Sequence, residues 1–287
     1  MMNFKKNLVS ILIPCYNHEK YVKDCLQSIL HQTYCDYEVI ICDDCSRDKS
    51  VEIIQQQKTE FDKKGIRLLL IENQQNKGLT PNINGMLQHA EGEYIKIIAS
   101  DDMLAENYLE EMVAVLAKDD SLKFAFSNGR KVKEEAEYPM KQEWMDAALF
   151  ETLPDCRNNV VERIFVDNFI PAPSILFRHS VLEEVEGYDE QIGIEDLEMS
   201  LRVLSRYPEG LGATEKQLVY YRINENSMTS VKNNAGAKRR IRFMYKNCMA
   251  IARKYRKSVT KKTYYKRMLD LKLSYLFQMR DILLGRS

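Results

Sequence analysis

Tyr94-Ile95-Lys96-Ile97-Ile98-Ala99-Ser100-Asp101-Asp102 runs from apolar or aliphatic-stemmed positions straight into two adjacent carboxylates. Such a run reads as a buried strand ending at a polar rim. In open α/β sheets ligands sit beyond the carboxyl ends of the strands. A carboxylate pair there is well placed to hold a hard divalent cation against a diphosphate. A second pair, Asp43-Asp44, follows the strand-like run Tyr37-Glu38-Val39-Ile40-Ile41-Cys42. Two strand-end acidic pairs in one Rossmann-like half point to a nucleoside-diphosphate site.

The segments around these two runs keep the same rhythm. Leu8 to Ile13 reads as a strand and His18 to Gln32 as a helix, with Val22, Cys25, Leu26, Ile29 and Leu30 on one face. A helix from about Lys49, a strand from Ile66 to Ile71, and a helix from Thr80 to His89 follow, with Thr80-Pro81 expected to supply the cap and first-turn proline. A strand from Tyr94 to Ala99 and a helix from about Glu106 to Lys118 complete a βαβα series, which argues for a mainly parallel sheet covered on both faces. Beyond Phe124-Ala125-Phe126 the pattern is mixed. Lys131 to Asn159, which contains Trp144, is polar and irregular and is expected to cover the site or shape an acceptor pocket. A strand from Ser174 to Phe177, a helix from Asp196 to Arg206 and a late strand from Gln217 to Tyr221 follow.

The 287 residues suffice for one large domain with an appendage, and 45% hydrophobic content supports a packed interior. No apolar run approaches the ~20 residues of a membrane-spanning helix, and the N-terminus lacks a signal-peptide core, so a cytoplasmic location is expected. The seven cysteines form no regular framework, which suits reduced thiols. Cys42-x-x-Cys45 lacks the second ligand pair of a zinc site, and the four histidines show no metal-ligand spacing. Net charge is zero, but Lys232 to Ser287 hold 17 Lys/Arg and 2 Asp, so the rest of the chain is acidic. This divides the chain into a domain over 1–231 and a basic helical extension over 232–287.

Read together, Val9-Ser10-Ile11-Leu12-Ile13-Pro14-Cys15-Tyr16-Asn17, Asp43-Asp44-Cys45-Ser46, Asn76-Lys77-Gly78, Gly92-Glu93-Tyr94-Ile95, Ser100-Asp101-Asp102 and Glu195-Asp196 resemble family 2 glycosyltransferases over residues 8 to about 230. The resemblance implies a GT-A fold, an α/β Rossmann-like, mostly parallel sheet flanked by helices. It also implies inverting transfer from a nucleotide sugar. Pro14, Tyr16 and Asn17 would form the base pocket. Asp44 matches the nucleotide-binding aspartate, with Asp43 beside it or capping the next helix. Lys77 is expected at the donor. Asp101 and Asp102 match the acidic motif that binds Mn²⁺ or Mg²⁺. Many members have a further aspartate where this chain has Ala99, so Asp102 is expected as the direct ligand and Asp101 at the ribose or metal.

Glu195-Asp196 matches the motif that supplies the catalytic base, with Asp196 taking the proton from the acceptor hydroxyl. The competing reading has both carboxylates merely favouring a helix N-terminus. In Tyr220-Tyr221-Arg222-Ile223-Asn224, Asn224 stands where the family has histidine. Arg222 is expected to pair either with donor phosphate or with a core acid. The implied activity is transfer of one sugar, most readily from a UDP-sugar, to a saccharide or lipid-linked saccharide acceptor in surface-polysaccharide or O-antigen synthesis. The alternative is a non-catalytic nucleotide-sugar-binding or scaffold subunit. The basic tail is expected to pack its apolar stripes, Ile241 to Tyr255 and Tyr265-Leu269-Leu273-Leu276-Phe277, onto the domain or a second copy in a homo-oligomer. Attraction to the inner face of an anionic membrane would accompany this packing. Nucleic-acid binding is disfavoured, since no recognition motif accompanies the charge.

Overall fold

A computed structural model describes residues 4–149, 158–223 and 236–283. Four parallel strands form one half of a single sheet: β1 (Lys5–Cys15), β2 (Tyr37–Asp43), β3 (Leu68–Glu72) and β4 (Gly92–Ile97). β1 lies between β2 and β4, so the chain reverses its direction of winding there and opens a crevice at the carboxyl ends. All seven residues of β2 are buried because helices cover both faces. Alternation along the strands separates two cores. Ile11, Ile13, Val39 and Ile41 pack towards α1 (Val22–Leu30), α2 (Ser50–Lys63) and α4 (Tyr108–Ala117). Leu12, Ile40 and Ile95 pack towards α3 (Leu79–Leu87), α5 (Val160–Val166), α6 (His179–Glu184) and α7 (Glu195–Arg206).

The other half of the sheet is mixed. β5 (Met103–Leu104), β6 (Phe124–Val132), β8 (Leu176–Arg178) and β9 (Leu211–Arg222) extend it in the order β4-β8-β6-β9-β5, with β7 (Met145–Ala148) on β6. β8 runs antiparallel to β4 and β6, whereas β9 runs parallel to β6. β9 begins six residues before the strand expected from the sequence, because its exposed middle, Glu215-Lys216-Gln217, carries no apolar signal. Within the stretch expected to be irregular, β6 continues to Val132 and β7 adds an edge strand.

Two local expectations fail. Thr80 does not cap α3: it lies inside the helix, and the preceding N–H groups of Lys77 and Gly78 are held instead by the Asp44 carboxylate at 2.8 Å each. α1 starts at Val22, after a turn closed by Tyr21 and Val22 N–H groups on the His18 carbonyl.

α8 (Ala237–Lys254) joins the core on the α7 side through Ile251, Ala252 and Tyr255. α9 (Lys261–Leu283) packs on α8 and α5 through Tyr264, Met268 and Leu271, and Tyr275 stacks on Tyr245. The α9 stripe expected to pack inward points outward: Tyr265, Leu269, Leu273, Leu276 and Phe277 are 42–63% exposed. The true inner face lies more than a third of a turn away, on the row through Tyr264, Met268 and Tyr275.

Candidate active site

At the end of β1 the chain turns at Asn17, whose positive φ of 54° suits asparagine. Asn17 donates its N–H to Ser46 Oγ (2.8 Å) and accepts the Arg47 N–H on Oδ1 (2.9 Å), tying the loop after β1 to the loop after β2. Pro14 is half-buried and pairs in register with Cys42, while Tyr16 projects with 44% of its surface exposed. An exposed tyrosine ring at a strand end can stack on a planar base.

The two carboxylates that end β2 have separate tasks. Asp44 accepts the N–H groups of Lys77 and Gly78 and the Asn73 amide (3.0 Å). Burial raises its pKa, but these hydrogen bonds outweigh burial and hold it below the ordinary value. Its acceptor sites are therefore largely committed to the protein. Asp43 accepts the Ser46 N–H on Oδ2 (2.9 Å), which makes a turn rather than a helix cap, and its Oδ1 is buried with no hydrogen-bond partner. A buried carboxylate oxygen left over at a strand end is the more available acceptor of the two.

Asp101 and Asp102 follow β4 in a turn closed by the Asp102 N–H on the Ala99 carbonyl (3.1 Å). Asp102 is only 3% exposed and accepts the Arg222 N–H from β9 (2.9 Å), whereas Asp101 is half-buried. Burial, then the charge of Asp101, pushes the Asp102 carboxyl well above its usual range. The two carboxylates thus repel each other, a strain that a divalent cation relieves. Among the described residues no three His, Cys, Asp or Glu side chains converge as metal ligands. One or two carboxylates fit an ion of the Mg²⁺ or Mn²⁺ type that completes its shell with substrate phosphates and water.

Glu195 and Asp196 open α7. Asp196 accepts the Asn168 amide at 2.9 Å, and Asn168 Oδ1 is itself buried and unpartnered. Burial, then the charge of Asp196, raises Glu195 to about 7; burial also raises Asp196, against its hydrogen bonds to backbone and to Asn168. A helix N-terminus alone lowers carboxylate pKa values. Here burial wins, so the pair is proton-avid rather than a mere dipole complement.

The pattern of Glycosyl transferase family 2 matches residues 10–186, more than half of the chain. The chain belongs to this family. It is 37% identical over 110 residues to the putative glycosyltransferase EpsE of Bacillus subtilis, covering 38% of each chain. It is 34% identical over 121 residues to the UDP-Glc:alpha-D-GlcNAc-diphosphoundecaprenol beta-1,3-glucosyltransferase WfgD of Escherichia coli, covering 42% of this chain and 45% of that one. These alignments thus span less than half of each relative. The fold is similar to that of Staphylococcus aureus TarS (TM-score 0.64, 17% identity, 92% of this chain and 42% of that one). It is equally similar to that of the mannosyltransferase PcManGT of Pyrobaculum calidifontis (TM-score 0.64, 17% identity, 96% and 73%). The expected GT-A architecture is therefore the one present, mixed rather than parallel in its second half.

Within this family 2 chain, Arg222 is turned inward. Arg222 is 2% exposed, and its guanidinium donates to the backbone carbonyls of Asp101 (2.8 Å), Glu134 (2.6 Å) and Ala136, with Asp24 at 3.7 Å and the Tyr21 ring 5.0 Å away. It clamps β9 to the acidic turn. Its nearest acid is Asp24, the kind of partner the core reading expects. A cavity of about 800 Å³ lies on this side, lined by Tyr21, Asp24, Glu134, Tyr138 and Arg222, and includes none of the strand-end or α7 carboxylates. Asn224 lies outside the described residues. Arg222→Met should lower stability by about 3–5 kcal/mol, since it strands Asp24 and three carbonyls that are buried or part-buried. Denaturant unfolding measures this; an unchanged midpoint with weakened donor binding would return Arg222 to the donor site.

Four side chains with roles here carry no sequence signal. Asn73 and Asn168 are single amides in loops, visible only once their carboxylate partners are placed. Glu198, 1% exposed, accepts from Arg202 (2.5 Å), Lys254 (2.7 Å) and Tyr255 (2.6 Å), locking α8 onto the helix that carries Glu195 and Asp196. Asn247 adds a bond from the Gly193 N–H (2.8 Å), two residues before Glu195. The basic tail thus begins as part of the wall behind α7.

Proposed function

We propose that this chain is an inverting, metal-dependent glycosyltransferase that moves one sugar from a nucleoside-diphosphate sugar to a hydroxyl of a saccharide or lipid-linked saccharide. Surface-polysaccharide assembly is the proposed setting. The observation that carries this reading is the Asp101–Asp102 pair beyond the carboxyl end of β4, since β4 pairs with β1, which leads into the exposed Tyr16, and β1 pairs with β2, which ends at Asp43 and its spare oxygen. Relatives support it: WfgD is named as using UDP-Glc, TarS has been solved with UDP-GlcNAc, and PcManGT with GDP-Man and Mn²⁺.

In this reading Tyr16 stacks on the base and Asp43 Oδ1 accepts a base imide or ribose hydroxyl. The exposed Lys77 side chain reaches the diphosphate from the α3 entrance. Asp101, with Asp102 beneath it, would hold Mn²⁺ or Mg²⁺, which when bound neutralises the diphosphate as charge develops on the leaving group. Asp196, oriented by Asn168, takes the acceptor hydroxyl proton. Burial keeps Asp196 proton-avid, and the charge of Asp196 in turn raises Glu195, so the two share the proton load. Release of nucleoside diphosphate, assayed over UDP-, GDP- and TDP-sugars with Mn²⁺ and with EDTA, tests the reading. No donor turned over, with or without a saccharide acceptor, would overturn it.

A base must be ionised to accept a proton, so transfer should fall as pH drops through the raised range of the pair. Glu195 lies near 7, so the ascending limb of kcat/KM should stand well above the ~4 of an ordinary carboxyl. The stability sign is opposite. A carboxyl raised on folding binds protons more tightly in the folded state, so its contribution is full at low pH and is lost as pH rises from about 4 through about 7. Glu195→Gln should remove that pH slope from the melting temperature. An unaltered slope would show the pair to be ionised normally.

A further inference from the structure

We propose that the outer face of α9 is a docking surface for an anionic lipid bilayer, a conclusion independent of the donor and acceptor. Lys262, Lys266, Leu269, Leu273, Leu276 and Arg280 follow one another at alternating spacings of four and three, and therefore form a single line along the helix. Tyr265 and Phe277 flank it, and every one of these side chains is exposed. The opposite face is occupied: Tyr264, Met268 and Leu271 pack on the core, and Thr260 and Thr263 bind Glu162 of α5. The helix is therefore fixed in one orientation, and its apolar stripe is what it presents.

The charges select the occupant. Lys261, Lys262, Lys266 and Lys272 are exposed around the stripe. The two acids of α9 are Asp270, on the rim, and Asp281, which pairs with Arg280 at 3.0 Å. A second copy laid on this face would set Lys262 and Lys266 against the same lysines if parallel, or against Arg280 if antiparallel, beside a short leucine row. An anionic headgroup layer instead accepts the ammonium groups while the leucines and Phe277 enter the acyl boundary and the lysine stems snorkel. None of the described helices is long and apolar enough to cross a membrane, so the contact is at the surface.

Co-sedimentation of the full chain with vesicles of phosphatidylglycerol and phosphatidylcholine, against phosphatidylcholine alone, tests this. Wild type should pellet with the anionic vesicles only, and less as salt rises, because the attraction acts within about one Debye length, ~8 Å at physiological salt. Two variants separate charge from apolar insertion, and both should keep the wild-type melting temperature. Lys261, Lys262, Lys266 and Lys272 all changed to Gln should weaken binding on the order of 10²-fold or more, at roughly fivefold per lysine. Leu269→Gln, Leu273→Gln and Leu276→Gln together should also leave the protein in the supernatant. Lys254 stays unaltered because it holds Glu198. Wild type remaining soluble with anionic vesicles, or both variants pelleting like wild type, overturns the proposal. A wild-type dimer by light scattering that the leucine variant dissolves, with no vesicle binding, assigns the face to self-association instead.

Discussion

Asp196→Asn should lower transfer by roughly 10²–10⁴-fold while leaving donor affinity nearly unchanged. The substitution keeps shape and still presents an oxygen to the Asn168 amide at the position Oδ2 holds, so α7 should not move. What disappears is the site that accepts the acceptor proton. Calorimetry with a donor analogue separates the effects, because a base acts on the acceptor and not on nucleotide binding. Equal losses of donor affinity and turnover would move Asp196 into the donor site or the fold. Asn168→Ala supplies a second check. Its amide favours the ionised form of Asp196, so its loss should shift the ascending limb of the pH profile upward and lower kcat more than it raises KM. A purely structural asparagine would leave the limb in place.

The parallel half of the fold was legible because its inner strands β1, β2 and β4 are buried on both faces over most of their length and end at turns. β2 reads as the apolar run Val39-Ile40-Ile41-Cys42 behind Tyr37-Glu38, and its observed end differs from the expected one by a single residue. The acidic pairs were legible for the same reason: an apolar run that stops at two carboxylates stops at a rim. Which carboxylate faces ligand was not legible, because adjacent residues point to opposite sides of the chain. A motif names the pair but not the turn that rotates it. Asp102 is directed inward to the β9 backbone, and Asp44 is spent on the entrance to α3. Arg222 escaped for a related reason, since a guanidinium that satisfies backbone carbonyls 86 to 121 residues away leaves no local pattern. In α9 the polar and apolar rows are both well formed, and only the position of α5 and α8 decides which row is covered.

The order of the acidic pair at the metal is the sharpest consequence of that rotation. The sequence favours Asp102 as direct ligand; its burial and its bond to the Arg222 N–H favour Asp101 in contact with ion and donor, with Asp102 setting the field from beneath. Asp101→Asn should therefore reduce Mn²⁺-supported transfer on the order of 10²–10³-fold and shift the Mn²⁺ titration to higher concentration, with little change in melting temperature. Asp102→Asn retains an oxygen for the Arg222 N–H, and should keep most stability with a smaller loss of metal affinity. Asp102→Ala leaves that N–H buried without an acceptor and should cost about 1–3 kcal/mol as well as activity. Isothermal titration with Mn²⁺ and UDP, run beside turnover in EDTA, distinguishes these outcomes. If Asp102→Asn abolished metal binding while Asp101→Asn only weakened it, the sequence-based order would stand. If turnover persisted undiminished in EDTA, the pair would hold no ion at all, and its mutual repulsion would need another cation, for which the buried Lys96 near Asp102, its pKa lowered by burial to about 7, is the group at hand.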